Sequence, residues 1–131
     1  MRITADRLMD HTIEAQTSSG VVAPTNWSVG SFQGYKVSGM TTVVLVMTYT
    51  GASAITSSTA GNIGDTLCGT LPAGWRPLAT LVTSFDRSGV ADGSVSIAPD
   101  GTCMLKTLSP NATISGGNNV SFMATWVSGN A

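Results

Sequence analysis

The chain has 131 residues, of which 42% are hydrophobic and 10% charged, with a formal net charge of -1. That length suits one domain with a real core and is short for two, and its six Lys and Arg, scattered at positions 2, 7, 36, 76, 87 and 106, form no basic stripe for a nucleic-acid backbone. The longest apolar run, Val43 to Met47, is far below the ~20 residues of a bilayer crossing, so no membrane insertion is expected, and the Asp- and Glu-bearing N-terminus is not the pattern of a signal peptide. Helix surfaces are normally covered by Glu, Lys and Arg, which are scarce here, so the composition points to an all-β domain.

In chain order, residues 3 to about 14 form the only charged block. Thr4 is a candidate cap and Ile3 and Leu8 offer an apolar side, which predicts a short N-terminal helical lead-in. Small polar residues from Gln16 to Gly20 then read as a linker, giving a lead-in over 1–20 and a β domain over 21–131. From Trp27 onward, turn residues recur about every ten positions, the spacing of a sandwich or barrel. Strands are expected near 27–29, 32–38, 41–50, 65–70, 78–85, 93–98, 102–108 and 119–127. Pro99-Asp100-Gly101 separates two runs in apolar phase and predicts a hairpin, because Pro presets φ and Gly tolerates positive φ.

Two strands depart from the half-buried pattern. Over 41–50, one face carries Val43, Leu45, Met47 and Tyr49 while the other carries Val44 and Val46. Over 119–127, Val120, Phe122, Ala124 and Trp126 share one face, with Met123 and Val127 on the other. An antiparallel sandwich usually leaves one face of each sheet polar and wet. Here both faces call for cover, from a second copy of the chain or from the N-terminal segment. Tyr49, Phe122, Met123, Trp126 and Val127 are therefore expected in the core or at an oligomer interface.

Candidates for chemistry are few. His11 is the only histidine and has no nucleophile beside it in any recognisable pattern, so a solvated surface role is expected. Asp65, Asp86, Asp92 and Asp100 read as turn residues rather than a glycosidase pair. The run Asp86 to Gly93 lacks the alternating ligands and terminal Glu of a calcium loop, and neither cysteine has a metal-ligand spacing. No enzyme activity, cofactor or metal is expected. Cys68 and Cys103 read as buried thiols, with one disulfide as the alternative. Trp75 and Arg76 could stack on each other or on a ligand, but their place between Pro72 and Pro77 favours a structural corner.

Three stretches carry a family resemblance: Asn62-Ile63-Gly64-Asp65-Thr66, Leu71-Pro72-Ala73-Gly74-Trp75-Arg76-Pro77 and Val95-Ser96-Ile97-Ala98-Pro99-Asp100-Gly101-Thr102. Together they resemble the C-terminal head domains of bacteriophage tail fibres and minor tail proteins, with Trp75 in place of a commoner Tyr. The resemblance spans about residues 27–127, with specific motifs only in the second half. It implies an antiparallel jelly-roll β-sandwich of tumour-necrosis-factor type, a homotrimer, a virion location after assembly in the host cytoplasm, and extracellular adhesion to a bacterial cell-surface saccharide. It also implies attachment to other virion tail proteins through the N-terminal segment, although the sequence departs from the pattern in starting at Met1 with almost no shaft. The family's motif residues look like scaffold, so ligand contacts are expected in the polar loops 57–64, 86–93 and 110–119, with Asp86, Arg87 and Asp92 as candidates. The rival expectation is a structural virion protein, a capsid decoration or fibre-trimerisation module without receptor binding.

Overall fold

The computed structural model describes residues 13–128. Its strands are β1 (Ala15–Thr17), β2 (Trp27–Val37), β3 (Met40–Tyr49), β4 (Ile55–Thr56), β5 (Asn62–Thr70), β6 (Leu81–Arg87), β7 (Ala91–Ile97), β8 (Thr102–Thr107), β9 (Thr113–Ile114) and β10 (Asn119–Val127). Eight of them form one antiparallel sheet in the order β1-β2-β3-β10-β6-β7-β8-β5, and β4 and β9 pair separately. The sheet curls back on itself, because Val22, just after β1 at one edge, exchanges two backbone hydrogen bonds with Thr70 of β5 at the other, at 2.9 and 3.0 Å.

The all-β expectation holds among the described residues. The expected helical turns fall largely on residues 3–12, outside the described residues. The supposed linker from Gln16 to Gly20 begins inside β1, whose Ala15, Gln16 and Thr17 pair with Lys36, Tyr35 and Gly34. An edge strand of three polar or small residues, two exposed and Thr17 half-buried, carries no apolar phase, which is why it reads as linker.

The pleat of β3 and β10 sorts their side chains as their apolar phase requires. Val43, Leu45, Met47 and Tyr49 are buried, as are Val120, Phe122, Ala124 and Trp126, whereas Met123 and Val127 face outward and are exposed. Tyr49, Phe122 and Trp126 are thus core residues. Around them pack Trp27, Phe32, Phe85, Val95, Ile97 and Leu105 in a single core.

The two strands expected at 27–29 and 32–38 are one strand, β2, with a register shift between Val29 and Ser31. Gly30 sits at the irregularity, where a Cβ would meet the Val46 carbonyl oxygen at 3.0 Å. A glycine that allows close backbone approach inside a strand reads, in sequence, as a break. Strand β6 starts later than expected, because Leu78 to Thr80 complete the corner, and it runs on to Arg87. The loop expected over 86–93 contracts accordingly: Arg87 pairs with Ala91, and Val90 donates its N–H to the Arg87 carbonyl at 3.0 Å. Ser88 (φ 50°) and Gly89 (φ 77°) both take the left-handed conformation of a type I′ hairpin turn. The same dipeptide, Ser38-Gly39, also at positive φ, is the whole two-residue connection between β2 and β3, where Val37 pairs with Met40, whereas Val90 adds a third residue between β6 and β7.

Strand directions divide the molecule into two ends. At one lie the turns at 38–39 and 98–101 and the corner from Leu71 to Thr80. At the other lie the segments 50–61, 88–90 and 108–118, with β4 and β9 laid over the core so that Ile114 is fully buried.

Candidate recognition surface at the loop end

The three polar loops singled out in the sequence converge at this second end, held together largely by backbone. Asn111 donates its N–H to the Ser58 carbonyl at 3.1 Å and Leu108 to the Gly61 carbonyl at 3.0 Å, joining 57–64 to 108–112. Ser88 donates its N–H to the Asn119 carbonyl at 3.1 Å, and its hydroxyl accepts the Asn119 N–H at 3.0 Å, joining the hairpin to the start of β10. Two serines that sequence patterns did not flag make the remaining ties. The buried Ser57 hydroxyl donates to the Ser109 carbonyl and accepts the Ala112 N–H at 2.9 Å. Ser109 donates its N–H to the Asp92 carbonyl at 2.7 Å, and its hydroxyl accepts the Asp92 N–H at 3.0 Å. Their partners lie 17 to 55 residues away, so no local signal could have found them.

Asp86 and Asp92 are register partners across β6 and β7 and share the outward face of the sheet. Asp86 Oδ2 accepts the Gly89 N–H at 2.7 Å, so this carboxylate ties down the hairpin turn. Asp92 Oδ1 accepts the Ser109 hydroxyl at 3.1 Å. Each keeps a second oxygen without a hydrogen-bond partner among the described residues. The two carboxylates stand where two depressions meet. A polar notch of about 230 Å³ lies beneath the hairpin tip, lined by Gly89, Val90, Ala91 and Ser109 as well as both aspartates. A wider, open depression of about 550 Å³ extends from the same pair down the sheet face past Ser84, Ser121, Val44 and Met123.

Arg87 does not join them. One residue on from Asp86, it points to the opposite side of the pleat, opposite Val120 of β10, and its Nε is buried without a partner among the described residues. Asp65 is also not a turn residue: it stands in β5, where its carboxylate takes a 2.8 Å ion pair from Lys106 of β8.

The corner end has a different character. Leu71 donates its N–H to the Gly101 carbonyl at 2.9 Å, and Arg76 Nε donates to the Leu71 carbonyl at 2.9 Å. The two motifs, thirty residues apart, are therefore one structural unit. Gly101 (φ 89°) closes the Pro99 turn, and a Cβ there would lie 2.6 Å from both Leu71 O and Arg76 Nε. Asp100 Oδ1 accepts from the Thr102 N–H and hydroxyl, at 3.0 and 2.7 Å, and those bonds, with Arg76 nearby, hold its carboxyl below its ordinary range. The Lys36 Nζ lies over the Trp75 ring, 4.8 Å from its centre, and the indole closes on Gly34, where a Cβ would come within 2.8 Å of it. Arg76 and Trp75 thus each have a partner in the fold, as expected of a corner.

Cys68 and Cys103 are free buried thiols on neighbouring strands, and the Cys68 Sγ–H donates to the Cys103 carbonyl at 3.4 Å. Burial pushes the Cys103 thiol up to about 12 and that of Cys68 higher still, so neither is a nucleophile near neutral pH. Among the described residues no group of three His, Cys, Asp or Glu side chains is placed to hold a metal ion, and no helix is long and apolar enough to cross a membrane. His11 lies outside them. No protein-family model and no curated protein matches the chain.

The loop end therefore offers carboxylate acceptors beside serine hydroxyls on a surface fixed by the strands beneath it. Groups of this kind bind hydroxyl-rich or amine-bearing ligands by hydrogen bonding.

Proposed function

We propose that this chain is a non-catalytic receptor-binding head of the bacteriophage tail type, which adheres to a bacterial surface saccharide through its loop end. The observation that carries the reading is the convergence of loops 57–64, 86–93 and 110–119 on one rigid end, with Asp86 and Asp92 paired at the meeting of two depressions. Two carboxylates with free oxygens accept hydrogen bonds from vicinal sugar hydroxyls, and the Met123 and Val44 side chains offer apolar ground for a sugar ring's C–H face. In this reading the curled sheet is a jelly-roll sandwich, the assembly is a homotrimer exposed on the virion, and the N-terminal segment attaches it to other tail proteins.

A glycan array or isolated cell-wall material tests the proposal. Asp86→Ala combined with Asp92→Ala should weaken binding by about tenfold or more, since each hydrogen bond to a charged group contributes about 1.5–3 kcal/mol. Arg87→Ala, on the other side of the pleat, should have a smaller effect. Binding that survives the double substitution unchanged sinks the site. A second reading, a structural virion module without receptor binding, draws on the apolar outer face of β3 and β10. Such a protein would bind purified capsids or tails and ignore host cells, and a pull-down against both separates the two.

A further inference from the structure

One charged group at the loop end stands apart from every other. Arg87 Nε is buried with no hydrogen-bond partner, and among the described residues no other buried side-chain nitrogen or oxygen lacks one. The other cations among those residues are engaged: Lys36 over the Trp75 ring, Arg76 with the Leu71 carbonyl and Lys106 with Asp65. A buried polar atom without a partner is uncommon in a folded protein and calls for a cause.

The fold shows how the arginine comes to be stranded. Its side chain leaves β6 on the inward side of the pleat, between the buried register partners Ala91 and Val120, with buried Phe85 next along the same face. There the aliphatic stem covers the loop end of the core, and because the residue as a whole is half-buried, its head reaches the rim. Among the described residues no carboxylate shares that side. Asp86 and Asp92 point outward from the same hairpin, and Asp65 is paired with Lys106. Glu14 and Asp100 stand at the corner end, where they accept the Ser38 N–H at 2.7 Å and the Thr102 N–H at 3.0 Å.

The charge is costly where it stands. An unpartnered charged donor out of water destabilises a fold, and an apolar side chain of similar length in its place is commonly neutral or stabilising. A group kept at a cost to stability, with an edge turned to solvent, is characteristic of a site that takes up a ligand.

We infer that Arg87 anchors an oxyanion subsite at the loop end, on the side of the hairpin away from Asp86 and Asp92, whose ligand is a carboxylate or phosphate group. The guanidinium presents its N–H donors in a planar fork that matches two oxygens of either group, and such charge-assisted pairs are strong hydrogen bonds. Nε itself is covered, so the oxyanion meets the terminal nitrogens first and the head moves outward to bring Nε–H into the fork. The two aspartates repel an anion, which keeps the binding weak and confines it to the Arg87 side. The inference does not depend on the saccharide reading. Under that reading it adds an acidic substituent to the ligand, so that Arg87→Ala weakens binding of acidic glycans alone.

Nuclear magnetic resonance of the Arg87 Nε–H, assigned by its loss in Arg87→Met, tests the subsite on the whole chain. Titration with inorganic phosphate, and separately with glucuronate, at constant ionic strength should shift that signal and slow its exchange with water, while glucose leaves it in place. A response to either anion alone supports the inference and names the oxyanion. Thermal unfolding gives a second reading. Arg87→Met should melt at or above the wild-type temperature in chloride and should lose the anion-specific rise that phosphate gives the wild type. Asp86→Ala combined with Asp92→Ala should keep that rise. A signal that neither anion moves overturns the inference. An Arg87→Met protein that melts below the wild type in chloride overturns it too, because the chain itself then supplies a partner for the charge. So does a phosphate-induced rise as large in Arg87→Met as in the wild type, which is a general effect of the salt.

Discussion

The corner end and the loop end are built from the same strands, yet they treat their polar groups in opposite ways. At the corner, the Arg76 guanidinium, the Asp100 carboxylate and the Leu71 carbonyl are consumed by one another and by backbone, and the Trp75 ring is occupied between Lys36 and Gly34. At the loop end, Asp86 and Asp92 each spend one oxygen on the scaffold and retain the other. Residue types that look like a site, a Trp beside an Arg, turn out to be fastenings. Plain serines and aspartates form the available surface. What distinguishes the two is whether a side chain's hydrogen-bonding capacity is already satisfied inside the fold.

Substitutions at the two ends should therefore separate stability from binding. The largest effect is expected for Leu71→Ala, which empties a fully buried position beneath the corner and should cost about 2–5 kcal/mol in denaturant unfolding. Gly101→Ala, with a positive φ and no room for a methyl group, should cost about 1–3 kcal/mol and leave the proposed saccharide binding at the far end intact in the folded fraction. At the loop end the pattern reverses, with Asp86→Ala and Asp92→Ala lowering stability by no more than about 1 kcal/mol each while together weakening the proposed binding about tenfold or more. Corner variants that abolish binding while folded, or loop variants that unfold the protein, would erase the distinction.

The smallest effect concerns pH. Asp100 has a folded-state pKa lowered from its ordinary value of 3.8 by its bonds from Thr102. A depressed carboxylate contributes stability above the unfolded value, and that contribution is lost as pH falls through the folded one. Asp100→Asn should therefore lower the neutral plateau slightly and flatten the acid arm of the stability profile below about pH 4, leaving stability at the acid end unchanged. An acid arm identical in the two proteins would show that other carboxylates govern it.

Much of the scaffold was legible because strand periodicity is local. The positions of β3 and β10, and which of their side chains share a face, follow from alternation alone, and Pro99-Asp100-Gly101 specifies its hairpin by φ preferences. Edges and irregularities were not legible. The short β1 has no apolar phase, Gly30 interrupts β2 in sequence but not in space, and Ser88-Gly89 turns so tightly that an expected eight-residue loop becomes a three-residue connection. Of the candidate ligand residues, Asp86 and Asp92 come together and Arg87 is turned away, a separation that a one-residue step along a pleated strand imposes.

The amino-acid sequence by itself determined the all-β class, which residues of the long strands share a face and the Pro99-Asp100-Gly101 hairpin, because each rests on preferences acting within a few residues. The tertiary structure decided the rest. It joined the Leu71 corner to the Gly101 turn, closed the sheet through Val22 and Thr70, and gathered three distant polar loops at one end. Those outcomes depend on hydrogen bonds between groups tens of residues apart, whose meeting is set by strand order and register and leaves no trace in local spacing.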